Sequence, residues 1–174
     1  MLTRRSSGLA FGQPLTLSVR KRGGFVQEAS DSSTLKRIWR QGEIPVVFRR
    51  SRPEKLLIKL PDAPGNQRWL QGDKQNYPYW DDQYKAWKVP QAWFEYAIKL
   101  CSKRFKKCYV IQLHHELQKC APACWRAQGI HCECSCMGDN HGTGHPEGRW
   151  YEIDETLAVS WGVRKYACRL ISAK

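Results

Sequence analysis

The sequence predicts an α+β domain: a small antiparallel sheet, one principal helix and a zinc-stabilised Cys-rich insert. Short apolar runs at period two recur along the chain, each bounded by Gly, Pro or Asp. One stretch after Pro90 carries its apolar residues at helical spacing instead. Five of the eight cysteines lie within residues 120–136, with His141 five positions further on. At 174 residues and 41% hydrophobic content, the chain has material for one sizeable core.

In chain order, residues 1–12 read as a basic flexible arm and residues 13–174 as a single domain, with residues 114–145 as its zinc-binding insert. Leu15-Thr16-Leu17-Ser18-Val19 alternates as a strand does, and Arg20-Lys21-Arg22-Gly23-Gly24 suits a turn. Ser32, Ser33 or Thr34 is placed to cap a short helix running through Arg40, with Gly42 as its stop. Residues 44–50 and 55–60 are apolar and of strand length, and Ser51-Arg52-Pro53-Glu54 between them suits a hairpin turn. Residues 61–75 are polar, contain Pro61, Pro64, Gly65 and Gly72, and read as loop. Residues 77–90 read as two short strands around a turn at Asp81-Asp82-Gln83. From Gln91 a helix is expected, because Phe94, Ile98, Cys101 and Phe105 share one helical face, widened by Trp93, Ala97 and Leu100. Residues 108–113 form a strand, and the tail returns to strand texture at 150–153, around 157–161, and at 166–171.

No apolar stretch approaches the length of a membrane span, and the basic N-terminus lacks the apolar block of a secretory signal. Both features predict a cytoplasmic protein without a membrane partner. In a reducing compartment, clustered thiols bind metal more often than they cross-link. Residues two apart, as in Cys132-Glu133-Cys134-Ser135-Cys136, hardly bridge each other, yet they can turn toward one ion. Zinc takes four Cys and His ligands, and six candidates are present: Cys120, Cys124, Cys132, Cys134, Cys136 and His141. One zinc leaves two spare, and spacing does not decide which four bind. An iron–sulfur cluster and disulfides are the competing outcomes. Pro122 and Gly138 suit the tight turns of a zinc knuckle. Such a site would fold an insert that cannot order itself. Cys101, Cys108 and Cys168 lie apart and read as small apolar fillers.

The formal net charge is +13, and it is uneven. Residues 1–60 hold thirteen basic and four acidic residues, whereas residues 119–174 hold seven and six. A polyanion, most simply DNA or RNA, is the expected partner; a solvated basic face or an acidic protein partner are the alternatives. The proposed hairpin would display Arg49, Arg50, Arg52 and Lys55 together at its tip, and Lys103, Arg104, Lys106 and Lys107 form a second basic run. Tyr77, Tyr79, Trp80, Tyr84 and Trp87 crowd into eleven residues beside Lys85 and Lys88. Trp87 reads as core, while Tyr77, Tyr79 and Tyr84 fit either the core or an exposed platform for stacked bases.

Trp80-Asp81-Asp82-Gln83-Tyr84-Lys85-Ala86-Trp87-Lys88-Val89-Pro90, followed by a helix, resembles the HARP domain of annealing helicases over residues 55–113. The shared signature is a Trp-Asp turn, a Lys-x-Trp strand, a Pro and a helix. The resemblance implies binding to DNA forks and junctions. No phosphate-binding loop accompanies it, so no motor activity is implied. Lys119-Cys120-Ala121-Pro122-Ala123-Cys124-Trp125, with the block from Cys132 to Gly142, looks like uncharacterised bacterial proteins of mobile elements. That likeness implies a bacterial or phage setting, such as plasmid maintenance, antiviral defence or counter-defence.

The leading expectation is therefore a non-enzymatic, zinc-containing nucleic-acid-binding protein. A metal-dependent nuclease is the first alternative, with His141, Asn140 and His145 as catalytic residues and His114 or His115 nearby. The strand–loop–helix frame of such nucleases is not readable after His141. The second alternative is a subunit of a larger protein or ribonucleoprotein assembly.

Overall fold

Alternating apolar residues build a sheet with two buried faces, and the Cys-rich segment completes one of them. The computed structural model describes residues 16–21, 29–114, 120–132, 134, 136, 138–144, 146, 150–161 and 164–174. The basic arm, Arg22, His115, Glu116 and His145 lie outside the described residues. The elements are β1 (Thr16–Lys21), β2 (Ala29–Ser30), α1 (Asp31–Arg40), β3 (Val46–Arg49), β4 (Leu56–Lys59), α2 (Asn66–Gln71), β5 (Tyr79–Asp81), β6 (Ala86–Val89), α3 (Phe94–Phe105), β7 (Lys107–Leu113), α4 (Pro122–Arg126), β8 (Tyr151–Trp161) and β9 (Arg164–Ala173). Among the described residues, nine strands form one sheet in the order β2-β1-β8-β9-β7-β3-β4-β6-β5. The predicted α+β class holds.

Period two sorts the strand residues between the faces. Val47, Leu56, Ile58, Val89, Cys108, Val110 and Ile171 pack on the side of α3, whose Phe94, Ala97, Ile98 and Cys101 are buried against them. Val46, Phe48, Leu57, Ala86, Ile111, Tyr166 and Cys168 face the other way, onto Leu35 and Ile38 of α1. α3 was legible from its apolar stripe, and α1 from its capping residues and the glycine beyond it. α1 begins at Asp31, so the three expected caps lie inside its first turn. Its stop is built by Gln41, whose side chain accepts from the amide of Ile44 (2.8 Å) and donates to the same residue's carbonyl (2.6 Å).

The β3–β4 hairpin forms where its turn residues predict, with Val46 opposite Lys59 and the Glu54 amide closing onto the Ser51 carbonyl at 3.0 Å. β5 and β6 pair as expected, Trp80 opposite Trp87, although Asp81 still belongs to β5 and the turn falls after it. The Asp81 carboxylate accepts from the Tyr84 amide at 2.9 Å and pairs with Lys88. Those two hydrogen-bonding partners, Lys88 first, hold its pKa below the usual carboxylate value.

Four expectations are corrected. One neighbour pair is parallel: β3 runs alongside β7, Val46 opposite Tyr109 and Arg49 opposite Gln112, because α3 carries the chain back across the sheet before β7 begins. Residues 61–75 are not all loop, since α2 lies within them and buries Leu70 completely. Gly65 (φ 76°) and Gly72 (φ 51°) bound this helix, and a Cβ on Gly72 would meet the Tyr96 hydroxyl at 2.5 Å. The first two tail segments are one strand, β8, in which the extra residue Asp154 makes a bulge and pairs with Lys107 at 3.2 Å. Pro122 starts α4 rather than a knuckle turn, a position where its missing N–H costs nothing.

Candidate metal centre and adjoining basic surface

The Cys-rich segment docks on the α3 side of the sheet, at the end where β7 finishes. Gln112 of β7 donates through Nε2 to the Cys132 carbonyl, and the fully buried Arg169 of β9 donates through Nη2 to the Ile130 carbonyl at 3.1 Å. The Tyr151 hydroxyl reaches the Gly129 carbonyl at 3.3 Å, and the His131 ring stands edge-on to Phe94 with centroids 6.2 Å apart. Ile130 fills the core between these polar clamps. The sheet and the start of α3 therefore hold residues 129–132 in place.

All six expected ligands converge. Cys120, Cys124, Cys134 and Cys136 offer sulfurs that lie within 4.8 Å of one another, and so do the donor atoms of Cys124, Cys132, Cys136 and His141. The sulfur separations include 3.3 Å for Cys132–Cys134, 3.4 Å for Cys134–Cys136, 3.5 Å for Cys132–Cys136 and 3.8 Å for Cys124–Cys134. Tetrahedral zinc with bonds of about 2.3 Å sets its sulfurs about 3.8 Å apart, close to these values. The cluster can hold a metal ion.

Local structure explains the convergence. α4 presents Cys124, and its Trp125 carbonyl accepts the Gly144 amide at 2.9 Å, which closes the segment on itself. Gly138, at φ 92°, lets the chain reverse after Cys136, and the His141 amide bonds the Gly138 carbonyl at 3.1 Å. A Cβ on Gly138 would meet Arg169 Nη1 at 2.5 Å, so the glycine also makes room for the guanidinium. The Asn140 amide nitrogen donates to Cys120 Sγ at 3.6 Å.

The electrostatics favour thiolate at Cys136. A hydrogen bond from Cys132 first, and then the backbone amides of Asn140 and Gly138 against the pull of burial, hold Cys136 down at about 4. Cys132 rises in exchange, through the same bond and then through burial. His141 is 2% exposed, and its Nδ1 lies 2.7 Å from the Gly129 carbonyl. A carbonyl only accepts, so Nδ1 carries the proton and Nε2 keeps the lone pair for a metal, the usual arrangement of a ligand histidine.

The three remaining cysteines are buried fillers, as their isolation in the sequence suggested. Burial pushes Cys168 up to about 12, and burial followed by a bond to Cys101 pushes Cys108 well above the ordinary thiol value. Alkylation of metal-stripped but otherwise folded protein is accordingly expected to add five labels, and eight only after global unfolding. Intact mass spectrometry counts them; eight labels before unfolding would show that these three thiols are not shielded by the core.

The residues of the nuclease alternative are placed as follows. His141 is closed in beside Gly129, Asn140 is engaged by Cys120, and His114 is buried at the end of β7.

The basic residues divide between two ends of the sheet. Arg49, Arg50 and Arg52 line a cavity of about 350 Å³ with Ser51, Leu113 and His131, so the Cys-rich segment contributes one wall. Arg164 joins this end by donating to the Ser51 hydroxyl at 2.6 Å. Arg49 lies over the Phe94 ring at 4.9 Å, and Arg50 pairs with Glu54 at 2.9 Å. Lys55 is exposed on the hairpin and does not line this cavity. Lys103, Arg104, Lys106 and Lys107 sit where β7 begins, and the parallel register of β3 and β7 puts that point at the opposite end from the arginines. Arg104 stacks on Trp69 at 4.6 Å, and Lys107 is paired with Asp154.

Tyr77 and Tyr79 are 64% and 72% exposed, whereas Tyr84 is half-buried beneath Arg50, 5.2 Å from its ring centroid. Trp80 is 49% exposed and packs edge-on to the partly buried Trp87 at 5.1 Å. Both indoles line a groove of about 670 Å³ with Lys59, Arg68 and Lys85. Trp80 was not among the expected contact residues. Its signal was its neighbour: with Trp87 taken as core, an adjoining indole on the edge strand β5 has little core left to enter.

Fold and site together define an α+β protein with a converged Cys/His cluster able to bind metal. No protein-family model, no curated protein and no solved structure matches this chain. Among the described residues, no helix is long and apolar enough to cross a membrane.

Proposed function

We propose that this is a nucleic-acid-binding protein whose Cys-rich segment is folded by zinc. The observation that carries the reading is the cavity in which Arg49, Arg50 and Arg52 converge with His131. Guanidinium groups match phosphate oxygens in a planar fork, and such a cluster suits a phosphodiester backbone better than a neutral ligand. The groove lined by Trp80 and Trp87 with Lys59, Arg68 and Lys85 supplies ring faces and cations for unpaired bases. The excess of thirteen positive charges supports the same partner, and so does the likeness of residues 55–113 to a fork-binding module.

Binding to single-stranded, duplex, forked and RNA ligands is the direct test. Affinity is expected to fall steeply between about 50 and 200 mM salt, by roughly tenfold or more for each few phosphates contacted. Replacing Arg49, Arg50 and Arg52 together with Ala should flatten that salt dependence, and Trp80→Ala should weaken single strands more than duplex. Salt-independent binding, or none to any of the four ligands, would sink the proposal.

A further inference from the structure

We propose that the cluster is binuclear, with two zinc ions held by all six donors and the thiolates of Cys124 and Cys136 bridging them. The inference rests on the metal part of the function proposed above and adds the number and connectivity of the ions. Each of the two ligand groups is a complete set of four donors for a tetrahedral ion, and the groups share Cys124 and Cys136. Two tetrahedral ions have eight coordination positions. Six donors fill eight positions only when two of them each bind twice, and two donors are shared here.

The donor chemistry agrees with this assignment. A thiolate sulfur has several lone pairs and can join two ions. A neutral imidazole has one and can only be terminal. His141 occurs in one group alone, and both shared donors are sulfurs. Cys136 is also the thiolate best supplied with donors, receiving the backbone amides of Asn140 and Gly138.

A single ion fits less well. In the all-cysteine group it leaves Cys132 and His141 unused, both buried, with the imidazole already oriented by Gly129. In the other group it leaves Cys120 and the buried Cys134, whose sulfur lies 3.4 Å from a ligand sulfur. Cys124, Cys132, Cys134 and Cys136 are a third close set, and an ion held there leaves Cys120 and the buried, already oriented imidazole of His141. Unused polar groups in such a place are costly. Charge points the same way. Two zinc ions against five thiolates leave one net negative charge, and the buried guanidinium of Arg169 stands beside the cluster to meet it.

Metal content of the full chain, purified with zinc and measured by elemental analysis and native mass spectrometry, tests the number. Two zinc ions per folded chain are expected. After exchange with cadmium-113, two resonances in the thiolate region that are scalar-coupled to each other are expected from sulfur bridges. Cys120→Ala should lower the count to one, because it removes a terminal ligand from one ion. Cys136→Ala should lose both. One ion per chain in the unaltered protein overturns the proposal, as does a pair of uncoupled cadmium signals or a bound iron–sulfur cluster. No metal at all overturns this proposal and the zinc reading together. Two coupled ions in a chain that binds no nucleic acid uphold the cluster and remove only the nucleic-acid reading.

Discussion

Stripping the metal from the folded chain is expected to unfold residues 120–144 while the hairpin β3–β4 and its neighbours stay paired. Beyond the contacts that dock residues 129–132 on the sheet, the described residues of the segment have little else to hold them. Among the described residues its one regular element, α4, is five residues long, far below the length at which a helix persists alone. Its buried apolar side chain among the described residues is Ile130, with Cys132 and Cys134 beside it, and burying an isoleucine contributes about 1.5–3 kcal/mol. Ordering the backbone costs about 1–2 kcal/mol for every residue fixed. Structural zinc contributes on the order of 10–16 kcal/mol in small metal-folded units, the largest single contribution offsetting that cost.

Loss would spread to what the segment covers. Gly129, Ile130 and Cys132 occupy the Tyr151 hydroxyl, Arg169 and Gln112, and those buried groups would meet water. Amide exchange before and after chelation reads the effect directly. Protection at residues 129–144 should collapse, with Val47, Ile58 and Val110 still protected. Cys136→Ser, which removes a ligand common to both groups, should behave as the chelated protein does. A segment that keeps its protection without metal would mean that packing on the sheet, not coordination, orders it. The arginine cavity should respond too, because His131 forms one of its walls.

Legibility in the sequence followed the range of the interaction. α3 and the two hairpins could be read because period and turn chemistry are local, and Phe94, Ile98 and Cys101 meet the core as their spacing requires. α2 was hidden because Leu70 alone of its apolar residues is fully buried, so no stripe marks it between two glycines. The bulge at Asp154 split the alternation of β8 and made one strand look like two. The six donors were evident from residue type and density. Their overlap at Cys124 and Cys136 was not, because it depends on how α4 and the reversal at Gly138 meet in space. Separation of the two basic runs was equally illegible, since it follows from the parallel register of β3 and β7. Nothing in residues 166–171 marks Arg169 for burial, yet it is wholly enclosed.

Arg169→Leu is expected to destabilise the protein and weaken its hold on metal, although no ligand is touched. Burial pulls the guanidinium below its ordinary pKa, against the opposing negative potential of Tyr151 first and then Cys132. An enclosed cation of this kind persists only beside compensating negative charge. Here the thiolate cluster provides it, and the leucine would leave that charge buried without its counterion. Breaking a buried pair in this way costs about 3–5 kcal/mol, a fall in Tm on the order of 10 °C for a chain of this size. Metal affinity should drop by roughly 10- to 100-fold, as it does when groups that steady a metal's ligands are removed. Arg169→Lys keeps the charge but loses the fork that reaches the Ile130 carbonyl, so it should recover affinity more than stability. Thermal melts and competition with a metal-sensitive dye separate the two effects. A leucine variant that melts as high as the parent and binds metal equally well would show that the cluster carries no net charge for Arg169 to balance.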